Sequence, residues 1–149
     1  MATYYVSDLT GTDGGGHTGA IGDPWKTLSY GVAQLASGDT LYIRAGTYTG
    51  VLNTIDSQTY TMADGPYTIS GYPGEAVIVR PPNNTSAIRL NSQTQATTSI
   101  TIQDFTVDMV NNTTPLPGAA DGVFVWNNCD TITLLRLEIK NNTGVGIHL

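Results

Sequence analysis

Five carboxylates in the second half of the chain are of the residue type that hydrolyses glycosidic bonds. They are Asp104, Asp108, Asp121, Asp130 and Glu138. Hydrolysis by paired carboxylates requires two acids about 5 to 9.5 Å apart across a groove. Asp104 is expected at the start of a strand and Asp108 within the same strand, with no sign of burial for either. Asp121 and Asp130 have the setting of turn residues. The sequence therefore predicts no catalytic residue. A calcium site in the turns is left open, without a ligand spacing to support it.

Aromatic and basic residues suited to sugar contact occur in the later strands. The segments DGVFVWN (121–127) and TGVGIHL (143–149) match without a gap, 22 residues apart, which predicts equivalent outward positions for Trp126 and His148. An exposed tryptophan on a flat strand surface can stack against a sugar ring. The alternative is that the 109–120 loop or a neighbouring subunit covers Trp126. The predicted carbohydrate-binding set is Trp126, His148, Phe124 and Arg89, the last two sharing the next outward column.

A charged column is the second candidate binding feature. Aligned strands place Arg80, Asp108 and Lys140 at equivalent outward positions, about 5 Å apart. Such a column could bind an acidic sugar. It could equally be a surface ladder of ion pairs, each of which contributes little to stability.

The elements that position these residues are short strands in three repeating families. Their alternating apolar pairs are Leu41/Ile43, Tyr67/Ile69, Ile100/Ile102 and Ile132/Leu134; Val77/Val79, Phe105/Val107 and Leu137/Ile139, with 51–55 as an earlier member; and Ile88/Leu90, Val123/Val125 and Val145/Ile147. The families recur in one order, about 22 to 35 residues apart, which indicates stacked repeats. No second helix pattern exists to supply crossovers between parallel strands. The prediction is an all-β parallel β-solenoid of about four coils, with three strands each.

The triplet Asn-Asn-Thr occurs three times between the second and third families. Asparagine tolerates the left-handed backbone of a sharp bend, and stacked asparagines can bond from coil to coil. We therefore predict an asparagine ladder of Asn84, Asn112 and Asn142, with glycosylation of the triplets as the alternative. After the middle triplet, residues 114–120 are inserted, which predicts a projecting loop.

The two ends of the chain differ. Asp23 as N-cap, Pro24 in the first turn and Gly38 as terminator predict an amphipathic helix. We interpret 1–149 as a single domain, with an opening strand, loop and capping helix in 1–38 and solenoid coils in 39–149. No cap follows the last coil. Because open strand edges invite pairing, we expect self-association or a further chain at that end.

The composition of the chain argues against some classes of binding partner. Only 12% of residues are charged and the net charge is −6, which argues against nucleic acid and against a polybasic membrane contact. Cys129 is the single cysteine, so no internal disulfide forms. No signal peptide is evident at the start of the chain. The Thr/Asn/Gly-rich composition nevertheless favours an extracellular, virion or cell-surface protein.

The first fifty residues carry a family resemblance. YYVSDLTGTDGGG, followed by DPWKTLSYGVAQLASGDTLYIRAGTYTG, resembles the N-terminal region of right-handed parallel β-helix proteins of the pectate-lyase-like superfamily. The resemblance is specific over 4–50 and holds only at repeat level to residue 149. It implies right-handed winding and a helix that caps the N-terminal end. The superfamily's calcium-binding carboxylates and basic catalytic residue usually come from later coils, so none is carried over.

Two functions are compatible with these residues and with the resemblance. The first is the N-terminal part of a protein that acts on or binds polysaccharide, with this segment itself non-catalytic. The second is a structural or adhesive β-helix, such as a phage tailspike, surface fibre or filament subunit. The resemblance favours the first function, and the missing acid/base cluster favours the second.

Overall fold

The computed structural model describes residues 1–58, 61–91, 97–113 and 120–149. Strands dominate and helix is scarce. The helices are α1 (Leu28–Ala33) and one 3-10 turn (Val51–Asn53). The strands are β1 (Thr3–Val6), β2 (Thr40–Ile43), β3 (Gly46–Thr49), β4 (Ile55–Asp56), β5 (Tyr67–Gly71), β6 (Val77–Arg80), β7 (Ile88–Asn91), β8 (Thr97–Thr98), β9 (Ile100–Gln103), β10 (Thr106–Asp108), β11 (Val123–Trp126), β12 (Cys129–Asp130), β13 (Thr133–Leu135), β14 (Glu138–Lys140) and β15 (Ile147–His148).

The strands form three larger parallel sheets. Sheet one has the order β1-β2-β5-β9-β13, sheet two β3-β6-β10-β14 and sheet three β4-β7-β11-β15, while β8 pairs with β12. From β2 onward, the chain passes through sheets one, two and three in that order four times. We call each passage a coil. The fold is therefore all-β with parallel sheets, as the sequence predicts.

Equivalent apolar residues of successive coils lie opposite one another. Ile102 is in register with Ile69 on one side and Leu134 on the other. Val107 is likewise opposite Ile139. The side chains of Ile69, Ile102 and Val107 are fully buried. Complete burial of one such side chain contributes about 1.5–3 kcal/mol, so these stacked positions hold the coils together.

Two details of the predicted strand alignment are wrong. The second-sheet strand of the first coil is β3, whose buried Tyr48 lies opposite Val79, whereas Ile55 belongs to sheet three opposite Ile88. The last coil is also shifted by two residues, because Phe124, and not Trp126, lies opposite His148. A shift of two residues leaves every side chain on the same face of the sheet, so alternation alone does not distinguish the two registers.

The helix is shorter than predicted and begins later. Its N-cap is Thr27, whose hydroxyl accepts from the backbone N–H of Tyr30. Asp23 does not cap it; its carboxylate instead accepts from the backbone N–H of Thr18. Residues 23–26 are held away from helical geometry because the N–H of Trp25 donates to the carbonyl of Tyr5 in β1. Leu28 and Val32 are buried in the core, and the helix contacts β1, β2 and β4.

The strands of the last coil are more exposed than those before them. Leu135, Val145 and Ile147 are each at least 40% accessible, and Leu134 and Ile139 are only partly buried against the core. The predicted projecting loop falls almost wholly on 114–119, outside the described residues. The division at residue 38 stays a prediction. In the part of the chain that the structure describes, no helix is long and apolar enough to cross a membrane.

Candidate functional site

Phe124, Trp126 and His148 form an aromatic cluster on the outer face of sheet three. Phe124 and Trp126 alternate along β11, and their rings are parallel within 4°, with centroids 6.0 Å apart. The ring of His148, on the neighbouring strand, stands nearly perpendicular to both, 5.0 Å from Phe124 and 6.0 Å from Trp126 between centroids. Trp126 is 49% exposed. The cluster therefore presents an accessible indole beside an imidazole.

A buried carboxylate holds His148 in place. Asp121, two residues before the start of β11, is 1% exposed, and its Oδ2 lies 3.2 Å from Nδ1 of His148. Its Oδ1 accepts from the backbone N–H of Val145 at 3.3 Å. The sequence predicts Asp121 as a turn residue and gives no indication of this contact. A sequence position next to a glycine does not indicate burial. The burial of Asp121 arises only when the last coil packs against β11.

A recess of about 330 Å³ lies beside Trp126. Its lining residues are Val125, Trp126, Asn127, Asn128, Cys129 and Leu149. Asn127 and Asn128 both have left-handed backbones, with φ of 36° and 49°. Consecutive left-handed residues turn the chain sharply out of β11, and asparagine is the non-glycine residue that best tolerates this conformation. This turn and the half-exposed side chain of Trp126 border the recess.

Arg89 joins this face from the preceding coil. It is in register with Phe124, so Arg89, Phe124 and His148 form one column, as Phe124 and Arg89 were predicted to do. Its guanidinium is already occupied, because Nε and Nη2 donate to the two carboxylate oxygens of Asp56 at 3.1 and 2.5 Å. Asn91, not Arg89, lies opposite Trp126. In the described part of the chain, the guanidinium of Arg89 is therefore held by Asp56, and Arg89 is not the residue opposite the indole.

The predicted charged column is a contact between coils. Arg80 donates from Nε and Nη2 to Oδ2 of Asp108 at 3.2 and 2.8 Å, and Asn141 donates to Oδ1 at 2.8 Å. Lys140 is opposite Asp108 in register, but among the described residues it forms no ion pair. Asp108 is only 3% exposed, because Arg80 and Asn141 cover it.

The charge of Asp108 is stabilised despite this burial. Burial alone would raise the pKa of Asp108, but hydrogen bonds from Asn141, Arg80 and the backbone N–H of Val110 outweigh it and lower the pKa. A carboxylate that accepts several hydrogen bonds keeps its charge to lower pH. The carboxylate of Asp108 therefore uses its hydrogen-bonding capacity within the fold, and little of that capacity remains for a ligand.

The asparagine triplets contact the backbone of the neighbouring coil. Asn112 is buried, and its Nδ2 donates to the carbonyl of Thr85 at 3.1 Å. Asn84 is exposed, with φ of 57°, and in the last triplet it is Asn141, not Asn142, that is left-handed. In the described part of the chain, no side-chain hydrogen bond joins two of Asn84, Asn112 and Asn142. The observed link between coils is therefore side chain to backbone.

The carboxylates considered for catalysis are engaged in structural contacts. Both carboxylate oxygens of Asp104 accept from Arg136, which lowers the pKa of Asp104 against the opposing effect of burial. Glu138 accepts from the hydroxyl of Thr106, and Asp130 is exposed. Over 1–58, 61–91, 97–113 and 120–149, no three His, Cys, Asp or Glu side chains lie close enough to share a metal ion. A calcium site in the turns stays a prediction.

Comparison with known proteins gives one partial similarity. The chain is 37% identical over 78 residues to pectate lyase PEL9 of Emericella nidulans. The matched segment is 52% of this chain but only 18% of that protein, so the chain spans a small part of its relative's length. No protein-family model matches the chain, and no solved structure matches it significantly. By sequence, the chain is therefore similar to a segment of a pectate lyase over about half of its own length.

Proposed function

We propose that this chain forms the helix-capped first coils of a right-handed parallel β-helix and binds polysaccharide in a protein that acts on polysaccharide. The similarity to a pectate lyase over 78 residues is the observation that carries the proposal. The four passages through three parallel sheets support the β-helix, and the strong handedness bias of parallel crossovers supports right-handed winding. Leu28 and Val32, buried over the first coil, support the capping role of α1.

The aromatic cluster is the proposed sugar contact. A half-exposed indole beside an imidazole, with ring centroids 6.0 Å apart, offers an apolar face next to a hydrogen-bonding group. Aromatic rings bury a large area with little loss of side-chain entropy, which suits the flat C–H face of a sugar. The role assigned to the cluster is binding without catalysis, because Asp104, Asp108 and Asp121 are each held by a basic side chain. We expect the protein to meet its polysaccharide outside the cell.

The exposed last coil is proposed as a second contact surface. Leu135 and Ile147 are exposed apolar residues, and β13, β14 and β15 each pair along one edge only among the described strands. Unpaired edges with exposed apolar side chains favour addition of a further strand. We propose that further polypeptide, or a second copy of this chain, covers this surface.

Binding to a polysaccharide panel tests the proposed function. The panel is polygalacturonate, methyl-esterified polygalacturonate, alginate and chondroitin sulfate, measured by affinity electrophoresis with the 149-residue chain. We expect retardation by at least one polymer, and Trp126→Ala should weaken it roughly tenfold through loss of the stacking surface. Leu9→Ala is the matched control, because it removes an exposed apolar side chain on another part of the surface. If no polymer of the panel retards the chain, the proposal is refuted.

A further inference from the structure

We propose that the aromatic cluster recognises an uncharged sugar surface, through the C–H face and hydroxyl groups, and that Asp121 orients His148 for this purpose. The inference rests on the proposed function and names the chemical class of its ligand. It assigns Asp121 a positioning role, and it predicts that carboxylate groups of a polysaccharide contribute nothing to binding at this site.

The contact with Asp121 sets the protonation pattern of His148. A carboxylate can only accept a hydrogen bond, so the contact with Asp121 places a hydrogen on Nδ1 of His148. In the neutral imidazole, Nε2 is then an acceptor. Nε2 has no partner among the described residues, and the His148 side chain is 34% exposed. A sugar hydroxyl is a donor that can meet this acceptor.

Asp121 and His148 are both held in place by contacts on more than one side. Asp121 is fixed on its other oxygen by the N–H of Val145, and the imidazole stands edge-on against the rings of Phe124 and Trp126. The position of Nε2 relative to the indole is therefore set before a ligand arrives. Ordering a polar group on binding costs free energy, and the cost is smaller when the group is already held in place.

The lysines and arginines of the chain are either paired or placed away from the cluster. The chain has six lysines and arginines against twelve acids. The four arginines, Arg44, Arg80, Arg89 and Arg136, are each paired with an aspartate or glutamate. Lys26 precedes α1, and Lys140 lies in sheet two, so neither is on the face of the cluster. Among the described residues at this face, a polyanion would meet no unpaired lysine or arginine, and the net charge of the chain is negative.

Two measurements test the inference, both at pH 7.5. The first compares polygalacturonate with highly methyl-esterified polygalacturonate of matched length, at low salt. We expect the esterified polymer to bind at least as tightly as the acid form, and Asp121→Asn to weaken its binding about fivefold, the contribution of one hydrogen bond. Binding of the acid form tenfold more tightly, with loss in added salt, would overturn the inference.

The second measurement is the tautomer of His148 in the wild-type chain, by long-range proton–nitrogen NMR. The spectrum contains only His17 and His148, and His17→Gln assigns the two signals. We expect Nδ1 of His148 to carry the hydrogen, and Asp121→Asn to relax this preference. A hydrogen on Nε2 in the wild-type chain would overturn the role of Asp121, whether or not the variant folds.

The outcomes separate this inference from the proposed function. If Trp126→Ala weakens binding but the acid polymer is preferred, the proposed function stands and the inference fails. If no polymer of the panel binds, the proposed function fails together with the ligand class inferred here. The tautomer measurement still decides whether Asp121 orients His148.

Discussion

Replacing Asp108 with asparagine should loosen three successive coils at once. Asp108 joins Arg80 of the preceding coil to Asn141 of the following one. A hydrogen bond to a charged group contributes about 1.5–3 kcal/mol, and the part exposure of Arg80 reduces this because water replaces some of the contact. We therefore expect Asp108→Asn to lower the free energy of unfolding by about 2 kcal/mol, or roughly 4–8 °C in Tm for a chain of this size.

The effect should depend on pH in a defined direction. The pKa of Asp108 in the folded chain is below its ordinary value of 3.8, because the hydrogen bonds from Asn141 and Arg80 outweigh the opposing effect of burial. The stabilisation is therefore fully present above that ordinary value and is lost as the pH falls through the folded-state pKa. The stability difference between wild type and Asp108→Asn should be constant from pH 7 to 5 and shrink below pH 4 or so.

Urea unfolding followed by circular dichroism, at intervals from pH 7 to 3, measures both expectations. Asp130→Asn is the matched control, since it removes the same charge from an exposed aspartate. The control should change stability by less than about 0.5 kcal/mol. If Asp108→Asn is no more destabilising than the control at pH 7, the contact does not stabilise the coils and the reasoning is refuted.

Three further substitutions test the stacked core, a close backbone contact and the cap of the helix. Ile102→Ala, at a fully buried position, should cost about 2–5 kcal/mol in urea unfolding, and a cost below 1 kcal/mol would contradict the stacked core. Gly71→Ala should cost at least about 1–3 kcal/mol, because its Cβ would lie 2.0 Å from the carbonyl oxygen of Asp104, whereas Gly22→Ala, in open space, should be neutral. Thr27→Ala should cost about 1 kcal/mol by removing the helix N-cap, and an unchanged Tm would show that another residue caps the helix.

Much of the fold could be predicted because alternation encodes it. Ile69, Ile102 and Leu134 are recognisable as inward positions from their polar neighbours alone, and their spacing indicates which coil each belongs to. The assignment of 51–55 to sheet two was wrong because the second strand of the first coil contains only one large apolar residue, Tyr48. A segment with more apolar residues nearby is then assigned to the sheet in place of the true strand.

The helix shows how tertiary contacts override local signals. Asp23 and Pro24 are a good helix start by local preference. The N–H of Trp25 instead pairs with β1, and Asp13 accepts from the backbone of Lys26 and Thr27. These partners come from earlier parts of the chain, so no local window could reveal them.

Strand alternation and the repeat interval are properties of the chain, so they indicate without coordinates which side chains face the core and that like residues stack in parallel. The two-residue shift of the last coil and the burial of Asp121 against His148 arise instead from tertiary contacts. Both depend on which backbone groups of adjacent coils pair. A shift of two residues preserves the inward and outward pattern, so the choice is made by contacts between coils and not by the pattern within one.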